Sequence, residues 1–182
     1  MIIRKASISD SRGIATVLVD TWRTTYIGII PDDFLQNLSY DEREKTIFNM
    51  FKNMTDNECV YVAEVVENKI IGFCIGGKER SANPKYRGEL WGIYILKQYQ
   101  RKRIGSQLVQ KVIQHLIKMK INTMLTWVLK DNPSCAFYEQ LGGKYIDEKI
   151  IKIANNDYVE ISYGWDNIVK LSAFLESEIA KK

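Results

Sequence analysis

The sequence predicts an α/β domain, a mixed and mostly antiparallel sheet of six to seven strands flanked by helices. Three observations predict it. Short β-rich runs recur from end to end of the chain, and one long stretch carries apolar residues at helical spacing. That stretch lies between two apolar strands, so a right-handed crossover makes those two strands parallel while hairpins pair the others.

Ile2 to Ala6 reads as a first strand, and Ser9 or Asp10 caps a helix with Ile14, Val17, Leu18 and Trp22 on one face. Gly28 and Pro31 break that helix. Two shorter helical pieces follow, Asp32 to Leu38 and Asp41 to Phe51, with Phe34, Leu35, Ile47, Phe48 and Phe51 directed inward. Cys59 to Val66 and Lys69 to Ile75 form a hairpin across Glu67-Asn68, and Gly76-Gly77 ends the second strand. Glu89 to Leu96 is apolar enough for a central strand buried on both faces.

Ile104, Leu108, Val109, Val112, Ile113, Leu116 and Ile117 then trace one face of a helix, with Gln107, Gln110, Lys111, Gln114 and Lys118 on the other. Thr123 to Leu129 is the parallel partner strand. Asn132-Pro133 opens a short helix, with Pro133 at its first position, and Gly142-Gly143 closes it. Strands at Lys144 to Ile153 and Tyr158 to Trp165 flank an Asn155-Asn156-Asp157 turn. A last helix over 166–181 points Ile168, Leu171, Phe174, Leu175 and Ile179 inward. Residues 1–165 are expected to form the domain and 166–182 its C-terminal helix or tail.

With 46% hydrophobic and 26% charged residues, the 182-residue chain is too apolar for disorder and suits one core. It contains no apolar run of the roughly 20 residues that a membrane crossing needs. The start, Met1 to Lys5, alternates like a strand and lacks a signal-peptide core, which points to the cytoplasm. Cys59, Cys74 and Cys135 lack the paired spacing of a disulfide framework or zinc site, so reduced thiols and no metal are expected. His115, the lone histidine, reads as a surface residue. A net charge of +4 does not demand nucleic acid, but Lys97, Arg101, Lys102 and Arg103 concentrate positive charge locally. These basic residues lack the interleaved aromatics of a nucleic-acid surface.

Those cations stand in Gln100-Arg-Lys-Arg-Ile-Gly-Ser106, between the buried strand and the long helix. The open N-terminus of that helix presents unpaired N–H groups and partial positive charge, so the loop suits a diphosphate. Ile93-Tyr-Ile-Leu-Lys-Gln-Tyr-Gln-Arg-Lys-Arg-Ile-Gly105 resembles the acyl-CoA strand and loop of the GNAT superfamily of N-acetyltransferases, written Gln/Arg-x-x-Gly-x-Gly/Ala. Arg103 stands where that pattern has its first glycine, so it must either keep a negative φ or hold a side chain at positive φ. Asp131-Asn-Pro-Ser-Cys-Ala-Phe-Tyr-Glu-Gln-Leu-Gly-Gly143 resembles a second element of the family, and the two occur in the family's order.

The resemblance implies a splayed parallel strand pair holding acetyl-CoA as acyl donor, and transfer to a small-molecule or peptide amine within a ternary complex. It implies cofactor contacts from Ile93, Tyr94, Ile95, Arg101, Lys102, Arg103, Ile104, Gly105, Ser106, Asn132 and Tyr138. Strand N–H groups would face the thioester oxygen, which gains charge as the amine attacks. An alkyl amine of pKa about 10.4 is about one part in a thousand neutral near pH 7, so Glu89 is the candidate base, direct or through water. Tyr138 is the candidate acid for the leaving thiolate. Cys135, in the first turn of a helix, is the alternative nucleophile of a ping-pong scheme. Trp22 and Tyr26, one helical turn apart, are with Glu89 the candidate acceptor-binding residues. The other reading of the same fold is a catalytically idle CoA-binding sensor, and a homodimer through the last helix is a further expectation.

Overall fold

The computed structural model describes residues 1–180, so the last two residues of the tail expected over 166–182 lie outside the described residues. Its elements run β1 (Ile2–Lys5), α1 (Ser11–Thr25), α2 (Asp32–Gln36), α3 (Tyr40–Asn53), β2 (Glu58–Val65), β3 (Lys69–Lys78), β4 (Gly88–Ile95), α4 (Ile104–Lys118), β5 (Met124–Leu129), α5 (Cys135–Gln140), β6 (Lys144–Ile153), β7 (Asn156–Trp165) and α6 (Ile168–Ala180). The seven strands form one sheet ordered β1-β2-β3-β4-β5-β7-β6, with β4 and β5 parallel and every other pair antiparallel.

Helices cover both faces. Gly13 of α1 packs against Ile70, while Gly76 leaves room for Val112 of α4 on the opposite side. Ile14, Ala15 and Val17 of α1 and Leu108, Val109, Val112, Ile113 and Leu116 of α4 are all buried, so each helix turns its apolar stripe to the sheet. A second apolar cluster joins Val19, Tyr26, Ile30 and Leu35 to Leu129, with Ile151, Ile153 and Tyr158 packed on it. It closes the far end of the α1 face.

Several expectations are corrected by packing. β3 continues through Gly76 and Gly77 to Lys78. A Cβ on Gly77 would lie 2.4 Å from the Asn57 carbonyl oxygen, so the pair serves close backbone approach and not strand termination. Phe48 and Phe174 are exposed, and Lys52 lies over the Phe48 ring. Gln110 is buried, donating to Ser172 Oγ and Glu176 Oε1 of α6, where sequence periodicity placed it in solvent. His115 is half-buried. Pro133 precedes α5 in a turn, and the chain enters the helix at Ser134, whose N–H bonds to Asn132 Oδ1. The β6–β7 turn is Ala154-Asn155, both at positive φ, the two-residue form that matches strand twist.

Candidate active site

The β4–β5 ladder is short. Gly88, Glu89 and Leu90 pair with Met124, Leu125 and Thr126, and beyond that point the strands part although both continue. Two local causes are visible. Trp91 is an extra residue in the β3–β4 register, between Leu90 opposite Gly76 and Gly92 opposite Ile75, and such a bulge bends its strand. Thr126 Oγ1 donates to the Leu90 carbonyl at 2.8 Å, sealing the ladder where it ends. From Trp91 to Ile95 the edge of β4 that faces β5 therefore lacks a strand partner, while its other edge stays bonded to β3.

A cavity of about 640 Å³ opens in this gap. Thr21 and Trp22 of α1 with Tyr26 just beyond it form one wall, Trp91 to Ile95 a second, and Trp127 to Leu129 with Glu160 of β7 a third. Arg101, Arg103, Ile104, Gly105 and Ser106 close the loop end, and Asn132, Phe137 and Tyr138 the α5 side. Arg101 and Arg103 both take φ near +60°, on either side of Lys102, a backbone alternation that turns successive N–H groups to one side. Gln107 N–H bonds to the Arg103 carbonyl at the start of α4, and Arg103 has no side-chain cap, so the N–H groups of the first turn face the cavity end. Diphosphate chemistry fits this end.

A family model described as Acetyltransferase (GNAT) family matches residues 20–143. Bacillus subtilis (strain 168) has a relative named Uncharacterized N-acetyltransferase YuaI, 35% identical over 173 residues, 95% of this chain and 97% of that protein. The chain belongs to the GNAT acetyltransferase family. The Spermidine N(1)-acetyltransferase of Thermoplasma acidophilum is 24% identical over 148 residues, 80% of this chain and 89% of that one. The crystal structure of the PaiA N-acetyltransferase of Thermoplasma acidophilum in complex with coenzyme A has a TM-score of 0.63 at 20% identity, covering 90% of this chain and 98% of that chain.

Within this GNAT fold, the expected residues divide. Ile93, Tyr94, Ile95, Arg101, Arg103, Ile104, Gly105, Ser106, Asn132, Tyr138, Trp22 and Tyr26 all line the cavity. Lys102 does not; its Nζ lies over the Tyr99 ring at 5.4 Å. Arg103 takes the strained alternative, φ +59°, and its Nη1 donates to the Glu178 carbonyl near the end of α6 at 2.7 Å. Gly105 admits Phe137, whose ring atoms would sit 3.2 Å from a Cβ there. Asn132 donates to the Tyr26 hydroxyl at 3.1 Å, tying the loop before α5 to the residue that follows α1.

Glu89 is not on the cavity wall. It is 2% exposed, and its carboxylate accepts from Arg80 Nε at 3.1 Å, Arg80 Nη2 at 2.5 Å and the Arg80 main-chain N–H at 3.2 Å. The same guanidinium covers the Trp91 ring at 4.6 Å. Burial raises the Tyr138 phenol well above the usual range, so it stays protonated at neutral pH. Burial also raises the Cys135 thiol, which leaves little thiolate for a ping-pong step, and its Sγ faces the Leu129 and Lys130 carbonyls. Burial pushes Cys59 up to about 12 and Cys74 well above a thiol's ordinary value. No helix among the described residues is long and apolar enough to cross a membrane.

Among the residues that sequence reasoning does not single out are Trp91, Trp127 and Glu160 on the cavity wall and Arg80 behind it. Trp91 and Trp127 lie in apolar strand runs that read as plain core. Arg80 comes from a loop, and only the register of β7 brings Glu160 to the cavity. Alternation within Tyr158 to Ser162 gave a weak signal for Glu160.

Proposed function

We propose that this chain transfers acetyl from acetyl-CoA to a primary amine of a small molecule or peptide, by direct attack in a ternary complex. The observation that carries the reading is the parting of β4 from β5 beyond Leu90, with the α4 N-terminus at the far end of the gap. An extended pantetheine arm can pair with the unpartnered edge of Trp91–Ile95 as an added strand, and its diphosphate can take the N–H groups of the α4 turn with Arg101 beside them. The coenzyme A complex of the Thermoplasma acidophilum protein supports this placement by likeness of fold.

In this reading a neutral amine nitrogen attacks the thioester carbonyl, and main-chain N–H groups of the parted strand stabilise the oxygen as it becomes negative. The carbon–nitrogen bond forms and the carbon–sulfur bond breaks. Tyr138 gives its phenolic proton to the departing sulfur, the amine's surplus proton passes to water, and solvent reprotonates the phenolate. Glu89, clamped by Arg80, holds Trp91 and the root of the cleft instead of taking the proton.

Calorimetric titration with acetyl-CoA, followed by thiol release against a panel of spermidine, alkyl amines, amino acids and peptides, tests the reading. Saturable binding at or below the order of 1 mM and amine-dependent thiol release are expected. Absence of acetyl-CoA binding overturns it, and binding without release on any amine reassigns the cleft to CoA sensing.

A further inference from the structure

Beside the wall of the cavity contributed by β5, β6 and β7, Lys149 makes an ion pair with the lining residue Glu160 that imitates a ligand, although Lys149 itself is not on the wall. Glu160 is the single carboxylate among the described residues lining the cavity. It stands opposite Leu129 on one side and Lys149 on the other, on the sheet face that carries Trp127. Lys149 Nζ lies 3.2 Å from Glu160 Oε2 and 3.9 Å from the centroid of the Trp127 ring. A carboxylate on one side and an aromatic face on the other are the two components that recognise an alkylammonium ion.

The surroundings suit a cation with an apolar chain. Trp22, Trp91, Ile151 and Ile153 line the same cavity, where burial raises the Tyr26 and Tyr94 phenols and the negative charge of Glu160 adds a smaller push in the same direction. Thr21 Oγ1, on a side chain that is almost wholly buried at the α1 wall, has no hydrogen-bond partner among the described residues, which leaves a polar group for a ligand atom. The Lys149 side chain is 47% exposed and that of Glu160 only 20%. Such a half-exposed pair contributes little stability, so a second ammonium can displace the lysine at small cost.

We propose that the Glu160 carboxylate and the Trp127 ring form the subsite for a positively charged nitrogen of the acceptor, a place that Lys149 fills until the acceptor arrives. The word acceptor rests on the acetyl-transfer reading; the cation subsite does not. An amine on an alkyl chain satisfies it, whereas a carboxylate near the same nitrogen would meet Glu160.

The test is titration of the CoA-saturated protein with n-butylammonium, followed by tryptophan fluorescence, against n-butanol as the neutral control. Butylammonium is expected to bind at least about tenfold tighter than butanol, the scale of one charge-assisted contact. Glu160→Gln is expected to remove that preference, and Lys149→Met to strengthen binding several-fold by removing the competitor. Equal binding of amine and alcohol, an unchanged Glu160→Gln, or a Lys149→Met that weakens binding as Glu160→Gln does would each overturn the subsite. In the last case the pair would be only a cross-strand clip. Circular dichroism melts of both variants verify folding. Failure of acetyl-CoA titration would sink the transfer reading and leave the butylammonium result standing.

Discussion

Tyr138 sits among Phe137, Tyr163 and Trp165, with ring centroids 5.5, 5.9 and 6.5 Å away. That packing holds the phenol at the α5 side of the cavity and burial keeps the proton on it; the same burial disfavours the phenolate, so donation needs the negative charge of the departing thiolate beside it. Tyr138→Phe preserves the ring contacts and deletes only the proton. Turnover is expected to fall by about 10²-fold or more, with acetyl-CoA binding and melting temperature nearly unchanged. Steady-state kinetics beside calorimetry measures both, and a fall of less than about threefold would leave Tyr138 as packing alone. Sequence could show this tyrosine through the second family element, because a motif carries its spacing with it. Glu89 shows the opposite case: a carboxylate at the start of the central strand reads as a base, yet Arg80 from a loop nine residues earlier occupies it. Spacing along a strand reveals a face, not the partner that another segment brings.

At the scale of elements, the junction of loop and α4 shows what a broken pattern costs. A non-glycine residue at φ +59° carries roughly 1 to 2 kcal/mol of strain. Arg103 offsets part of that through its bond to the Glu178 carbonyl, where a cation also complements the C-terminal end of α6. Arg103→Ala loses the side chain and keeps the strain; Arg103→Gly loses the same side chain and relieves it. The glycine variant is therefore expected to be about 1 kcal/mol more stable than the alanine variant by urea denaturation, reversing the usual order inside a helix. Equal stabilities would mean that the left-handed backbone is not strained. The elements themselves were largely legible, since α4 and its flanking strands carry clean periodicity over whole lengths. Their ends were not. The Gly76-Gly77 pair reads as a stop until Asn57 is placed against it, and no local pattern reports the Trp91 bulge that opens the cleft.

Over the whole molecule, register decides which residues reach the site. The Ala154-Asn155 turn sets Ile153 opposite Asn156, and that pairing fixes Lys149 opposite Glu160 on the Trp127 face. A slip by one residue would turn Glu160 to the α4 side of the sheet. A three-residue turn at Asn155-Asn156-Asp157, which the sequence pattern predicts, would set a residue other than Lys149 opposite Glu160.

The last helix supports the site from behind. Ile168, Leu171 and Leu175 are buried, Gln110 of α4 bonds to Ser172 and Glu176, and Arg103 bonds to Glu178, so α6 braces α4 along its length. Leu175→Ala removes a fully buried side chain at an expected cost of about 2 to 5 kcal/mol, a large share of the roughly 5 to 15 kcal/mol that holds a domain together. Leu175 does not line the cavity, so the loss falls on stability and not on donor affinity. Bound CoA adds about 2.7 kcal/mol at a hundred times its dissociation constant, and it adds this to wild type and variant alike when the two sites are independent. Urea denaturation with and without CoA measures both increments. They are expected to agree within about 0.5 kcal/mol, whereas a smaller increment in the variant would mean that the α6 brace, through Arg103, sets the shape of the anion loop itself.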